Sequence, residues 1–120
     1  MDIFCKIING EIPSYTIYED DIVKVFLDVN PDVNGHTLII PKKHILDIYD
    51  MDNDTLIHIF IVARKMDQIL REKLGAEGVT LIQNNGKCQE VKHFHLHLKP
   101  FFTDKVELMN IEDVYEQIMH

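Results

Sequence analysis

Residues 93–98 read HFHLHL, three histidines at every second position with large apolar residues between them. Imidazole changes charge near neutral pH, and its neutral form is a nucleophile. In a strand, alternate side chains point to opposite faces. Phe94, Leu96 and Leu98 would then face a core. His93, His95 and His97 would face the other way, roughly 6–7 Å apart along the strand. Two chemistries suit such a row. One is metal binding, because a His-x-His pair presents two imidazoles to zinc. The other is attack by imidazole itself on a phosphate-sized group, with one neighbour fixing the tautomer and another protonating a leaving group. A polar strand face that merely happens to be rich in histidine is the third reading, and strict alternation of three counts against it.

These residues need a sheet to hold them. TIYED (16–20) and IVKVFLDV (22–29) read as two strands of a hairpin around Asp20-Asp21. NPDVNG (30–35) is a loop, and HTLIIP (36–41) a short β-prone run ended by Pro41. From about 54 to 74 the period becomes helical, with Leu56, Ile59, Phe60, Ala63, Leu70 and Leu74 near one face. Asp52 is the expected N-cap and Gly75 the expected stop. VTLIQ (79–83) reads as a strand, NNGK (84–87) as a turn, and VKHFHLHLKP (91–100) as the fifth strand. A short helix over 111–119 follows, with Asn110 as cap and Asp113 three residues on. The order β-β-β-α-β-β-α predicts an α+β fold, a mostly antiparallel five-stranded sheet with one long helix on a face and a short C-terminal helix.

Length and composition bound the rest. At 120 residues with 46% hydrophobic content, the chain suits one domain spanning 1–120 with a sizeable core. A formal charge of −8 argues against nucleic-acid polymers and anionic membranes as partners. Two cysteines, Cys5 and Cys88, form no disulfide framework and suggest a reducing compartment. Asp2 and Lys6 interrupt any apolar signal region at the start, and no run reaches the length of a membrane span. The expectation is a soluble cytoplasmic protein.

At this point the sequence resembles a known family. HFHLHL fits the His-φ-His-φ-His-φ-φ signature (φ hydrophobic) of the histidine triad superfamily, with Lys99 in the last φ position. IFCKIINGEIPSYTIYEDD, FLDVNP, GHTLIIPKKHI and IQNNG precede it in the family's order, so the likeness runs to about residue 101. It is nearest the bacterial-type proteins close to the nucleoside phosphoramidate hydrolases. The resemblance implies an enzyme, a nucleotide hydrolase or nucleotidyl transferase cleaving at the α-phosphate of nucleoside 5′-phosphoramidates or related adenylates. His95 would be the nucleophile and form a nucleotidyl-histidine intermediate. His97 would contact the phosphate or leaving group. His93 would orient His95, and His36 would support His93. Asp28 would accept the ribose hydroxyls, a task suited to a carboxylate. Ile3, Phe4 and Ile7 would help form the base pocket, with Asn84 and Gln89 near phosphate and ribose. It further implies a purine nucleotide such as AMP as ligand, a homodimer, and no cofactor requirement for catalysis. Three other functions stay open: a dinucleoside polyphosphate hydrolase, a nucleotide-binding regulator with little turnover, and a metal-dependent hydrolase with zinc on the triad.

The residues also carry blander readings. Asp28 could be a strand-end turn residue, His36 a buried structural histidine, Asn84-Asn85-Gly86 a plain turn, and Ile3 and Phe4 ordinary core. Lys42 and Lys43, after Pro41, are read as solvated surface charges. The chain also departs from its family. Many relatives begin with Cys-x-x-Cys, and some bind structural zinc there with two histidines; here the stretch is Asp2-Ile3-Phe4-Cys5. Asp2, Cys5, His44 and His93 could still make a mixed zinc site, since carboxylate oxygen is an acceptable ligand. The loop after NNG is about two residues shorter than usual. Cys88 replaces a usual glycine, at a cost if that glycine supplied a positive φ. Glu90 stands where relatives carry a phosphate-touching hydroxyl; a carboxylate would repel that phosphate, which leaves Glu90 out of the expected site. Lys99 would project on the histidine face if the strand stays regular.

Overall fold

The computed structural model describes residues 2–120. Five strands form one sheet: β1 (Thr16–Glu19), β2 (Val23–Leu27), β3 (Thr37–Pro41), β4 (Gly78–Gln83) and β5 (Leu96–Phe101). Their order across the sheet is β1-β2-β3-β5-β4, and every neighbouring pair is antiparallel. The predicted α+β architecture is therefore observed. Asp20 builds the β1–β2 turn, accepting the N–H groups of Ile22 and Val23 at 2.8 Å each.

The two faces of the sheet bury different things. On one face Val23, Val25 and Leu27 of β2, Ile39 of β3, and Leu96 and Leu98 of β5 pack under the long helix α2 (Asn53–Leu74) and the C-terminal helix α3 (Ile111–Met119). Phe94 joins this core, as alternation predicts. On the other face Phe26, Leu38 and Ile40 pack under a short helix, α1 (Ile3–Ile8), through Phe4 and Ile7. Sequence periodicity did not point to α1. It is nucleated by Asp2, whose side chain accepts the Cys5 N–H at 2.8 Å as an N-cap.

Helix α2 starts and stops as expected. Asp52 caps it by accepting the Thr55 N–H at 3.0 Å, and Gly75 ends it in the left-handed conformation. Its buried stripe differs from the expected one. Ile59, Val62, Ala63, Met66 and Leu70 face the sheet, whereas Phe60 is 44% exposed. The helix carries a second apolar stripe, Ile57, Phe60 and Ile61, which points away from the core. None of the helices among the described residues is long and apolar enough to cross a membrane.

The histidine strand begins later than its alternation suggests. β5 starts at Leu96, so His93, Phe94 and His95 precede it. β4 ends with the pair Gln83–Leu96, and β3 last pairs Leu96 with Ile39. Two residues beyond Ile39, Pro41 has no N–H to continue a ladder. Its carbonyl instead accepts the His93 Nε2–H at 2.9 Å, and the Phe94 N–H goes to Ile45 O at 2.7 Å. The chain thus bends out of the sheet and keeps the inside–outside alternation.

Gly35 closes the loop before β3 with φ +87°, and a Cβ there would lie 2.5 Å from Leu74 Cδ1 and 3.1 Å from Pro100 Cγ. Gly35→Ala should destabilise the fold by about 2–3 kcal/mol, combining the left-handed penalty with overpacking. Urea unfolding checks this. A midpoint within error of the parent would mean that the loop shifts freely.

Candidate functional site

The face of the sheet under α1 opens into a cleft with two lobes. The first, about 230 Å³, is apolar: Ile3, Phe4, Ile7, Ile12, Phe26, Leu38 and Val91 line it. The second, about 410 Å³, is polar and has Asp32, His36, Ile82, Asn84 and Lys99 in its walls. Asp28, Asn30, Glu90, His95 and His97 line both lobes and so mark their junction.

At the junction each histidine's tautomer follows from its partner. A carbonyl oxygen only accepts. His95 therefore carries its proton on Nδ1, which donates to the His93 carbonyl at 2.8 Å. Nε2 of His95 is left with its lone pair and no partner within the described residues. Among the described residues no buried side-chain nitrogen or oxygen is left unpaired, so this atom opens onto the cleft. Phe4 holds the ring edge-on, with centroids 5.0 Å apart.

A second chain of hydrogen bonds sets His97. The Asp32 backbone N–H donates to His36 Nδ1 at 3.1 Å. His36 must then be protonated on Nε2, which donates to His97 Nδ1 at 2.9 Å. The remaining proton of His97 sits on Nε2, open to the cleft. The arrangement thus places an unprotonated imidazole nitrogen beside an imidazole N–H donor, with ring centroids 4.9 Å apart. An electrophilic phosphorus between them would meet a nucleophile and a donor together.

This geometry differs from the expected one in three ways. His36 supports His97, not His93, because β3 pairs Leu38 with His97 and the turn at Gly35 brings His36 alongside. His93 is not in the cleft; it is fully buried and reaches His95 only through its backbone carbonyl. Gln89 is buried in the loop, where its amide donates to Leu46 O at 2.7 Å and accepts the Gly86 N–H at 3.1 Å, so it holds the loop and lines neither lobe. Asp28, Asn84, Ile3, Phe4 and Ile7 all lie in the cleft. Asp28 Oδ1 accepts the Asn30 N–H at 2.9 Å, and Oδ2 lies 3.6 Å from His36 Nε2. The Asn84 side chain has no partner within the described residues. Cys88 sits in a short 3-10 turn, and among the described residues none other than glycine has positive φ, so the anticipated glycine replacement costs no strain.

Residues beyond the expected site set also bear on the cleft. Glu90 lines both lobes. Asp32 matters through its backbone N–H, which residue type does not announce. Lys99 projects on the histidine face, as a regular strand implies, with Nζ 2.6 Å from Asp32 Oδ2. Phe26 and Leu38 are the sheet floor of the apolar lobe. Lys42 is a surface ion-pair residue, 2.7 Å from Glu19.

Burial pushes the His97 pKa down to about 4, with the neighbouring His95, His36 and Lys99 adding to the effect and Asp28 opposing it. Burial also lowers that of His36, against the pull of Asp28. Both rings are therefore neutral at pH 7, as their hydrogen bonds require. The hydrogen bond and charge of Lys99 hold Asp32 below the usual carboxylate range.

On the other side of His93 lies a compact set of donor atoms. Asp2 Oδ2 is 3.5 Å from Cys5 Sγ, 3.1 Å from His44 Nδ1 and 3.4 Å from His93 Nδ1. Cys5 Sγ is 3.4 Å from His44 Nδ1 and 3.6 Å from His93 Nδ1. A tetrahedral zinc ion with bonds of about 2.0–2.3 Å holds its ligands roughly 3.3–3.8 Å apart. Four of these five separations fall in that range and the Asp2–His44 one lies just below it, so the four residues come close to that shape. His93 Nε2–H is committed to Pro41 O, which leaves Nδ1 as the ligand atom and supplies the outer partner typical of metal-bound histidine. Asp28, His36 and His97 form a second grouping, but one shared proton already satisfies its two facing nitrogens.

Residues 9–103 match the family model described as the HIT domain. The chain is 43% identical to an uncharacterized HIT-like protein of Methanocaldococcus jannaschii over 116 residues, 95% of this chain and 89% of that one. It is 40% identical to an adenosine 5′-monophosphoramidase of Candida albicans over 104 residues, 82% of this chain and 68% of that one. Among solved structures, a zinc-bound histidine triad family protein from Mycobacterium smegmatis superposes with a TM-score of 0.89 at 34% identity, covering 98% of this chain and 89% of that one.

The histidine shifts carry a stability consequence. A histidine whose folded pKa lies below its unfolded value of about 6.5 binds its proton more readily in the unfolded chain. The stability tied to neutral His97 is therefore fully present above pH 6.5. It is lost as pH falls through 6.5 toward 4. Thermal melts should show Tm declining over that window, with a shallower decline in His97→Asn. Equal slopes in the two proteins would exclude His97 as a source.

Proposed function

The chain belongs to the HIT domain family, the histidine triad proteins, and on that premise we propose that it hydrolyses nucleoside 5′-phosphoramidates or related adenylates through a covalent histidine intermediate. The observation that carries this reading is the pair of fixed tautomers, an open lone pair on His95 Nε2 beside an open N–H on His97 Nε2. The adenosine 5′-monophosphoramidase of Candida albicans among its relatives supports the substrate class.

The substrate lies along the cleft. Its base enters the apolar lobe between Ile3, Phe4 and Ile7. Its ribose hydroxyls meet Asp28, whose carboxylate is an acceptor strong enough to hold a diol. The α-phosphorus comes to the junction. His95 Nε2 bonds to phosphorus as the bond to the leaving nitrogen breaks, and that nitrogen takes up a proton. His97 donates a hydrogen bond through Nε2 to the phosphoryl oxygen or the leaving nitrogen. Asn84 offers its amide from the wall of the polar lobe. Water then attacks the same phosphorus, breaks the bond to Nε2, gives up a proton and releases the nucleoside monophosphate. His93 positions His95 by accepting the Nδ1–H at its carbonyl. His36 positions His97.

Asp2, Cys5, His44 and His93 would hold a zinc ion, which would crosslink α1 to the segment before β5. Its contribution would be structural, since His93 reaches the chemistry only through its backbone. The reading also includes a homodimer. The outward stripe of Ile57, Phe60 and Ile61 beside the edge strand β4, where Leu81 is 45% exposed, is an apolar face suited to a second copy.

Two experiments test these statements. Adenosine 5′-phosphoramidate should be hydrolysed by the parent protein, with kcat retained in chelator and reduced by on the order of 10³-fold or more in His95→Asn. No turnover by the parent, or a kcat abolished by chelator, would overturn the mechanism. Metal analysis should find one zinc per chain, lost in Cys5→Ser, with Tm lowered by several degrees. A metal-free parent protein purified with zinc present would refute the zinc assignment.

A further inference from the structure

The polar lobe beyond the histidines has a charge pattern of its own. A linear substrate with its base in the apolar lobe and its phosphorus at His95 and His97 has one part left to place, its leaving group. The remaining space is the polar lobe. Three charged side chains besides Asp28 line it: Asp32, Lys99 and Glu90. Lys99 and Asp32 neutralise each other at 2.6 Å. Glu90 has no ion-pair or hydrogen-bond partner among the described residues, and it is exposed to the cleft. His36 and His97 add no positive charge near neutral pH, because burial depresses both. The lobe is therefore a negative wall with one unpaired carboxylate, in a chain whose formal charge is −8.

We infer that Glu90 is a specificity-determining residue that selects substrates whose leaving group is a neutral or cationic amine and disfavours anionic leaving groups such as a second nucleotide. The inference rests on the hydrolase reading above and deepens it. The carboxylate attracts an ammonium on the leaving group and repels a phosphate or carboxylate there. Asp28 lies at the same junction, but it is engaged by the Asn30 N–H and by the sugar. The Lys99–Asp32 pair sets the remaining charge, so breaking it from the lysine side makes the lobe more negative.

The test compares kcat/KM for three adenosine 5′-phosphoramidates, made with propylamine, 1,3-diaminopropane and β-alanine. Their leaving groups are neutral, cationic and anionic. At low salt the parent protein should prefer the cationic over the anionic substrate by on the order of ten-fold, and added salt should shrink that preference. Glu90→Gln keeps shape and removes charge, and should cut the ratio by about three- to ten-fold. Lys99→Met should move it the opposite way by unpairing Asp32, a sign that loss of folding alone would not produce. Glu72→Gln, a carboxylate exposed on α2, should leave the ratio unchanged and so control for overall charge. If the neutral substrate is hydrolysed but the ratio is the same in the parent, Glu90→Gln and Lys99→Met, the inference fails and the hydrolase reading stands. If the parent protein hydrolyses none of the three, both fail.

Discussion

One hydrogen bond organises this molecule, that from His93 Nε2 to the carbonyl of Pro41. It forms where β3 runs out of N–H donors, and it holds His93 completely buried just before β5. Burying an imidazole is costly unless its polar atoms are paired. Here every polar atom of the residue that matters has a task. Nε2 is spent on Pro41, Nδ1 faces Asp2 and Cys5, and the backbone carbonyl takes the Nδ1–H of His95. Phe4 packs edge-on against both rings, at 5.9 Å and 5.0 Å. The start of β5, the seat of α1 and the tautomer of His95 are thus one arrangement.

The sheet divides labour between its faces. The face under α2 and α3 carries the larger core and needs no chemistry. The face under α1 has less apolar cover, because one six-residue helix cannot shield five strands. Phe4 and Ile7 cover part of it and form a wall of the cleft that stays open beside them. The open part is where His95, His97 and Lys99 project from β5 and its approach. His97 stands on β5 and His95 just before it, and both tautomers trace back to hydrogen bonds with backbone atoms, so the proposed chemistry would need no reorganisation of the two rings.

Much of this was legible in the sequence, for local reasons. Alternation in HFHLHL put Phe94, Leu96 and Leu98 in the core and His95 and His97 on the other face. Asp52 and Gly75 bounded α2 because capping depends on residues a few positions away. The family likeness carried Asp28, Asn84, Ile3, Phe4 and Ile7 to positions that do line the cleft. Periodicity describes α2 less well: two apolar stripes share one helix, and nothing local tells which faces the sheet, so the pattern points Phe60 inward although it lies outward. Helix α1 leaves no periodic signal because six residues are too few to show a period.

What the sequence alone determined was the inventory and the inside–outside sense of each strand, since side-chain direction in an extended chain follows from the backbone itself. Partnership was decided only in three dimensions. His36 supports His97 rather than His93 because of β3–β5 register, and Gln89 holds a loop because of where Leu46 and Gly86 lie. The four donor atoms of Asp2, Cys5, His44 and His93 come from three separate segments, so only folding could bring them within 4.8 Å of one another. The tautomers of His95 and His97 depend on backbone carbonyl and N–H groups, which nearly all residue types share. Backbone atoms leave no mark on residue type, so their roles become visible only when distant parts of the chain meet.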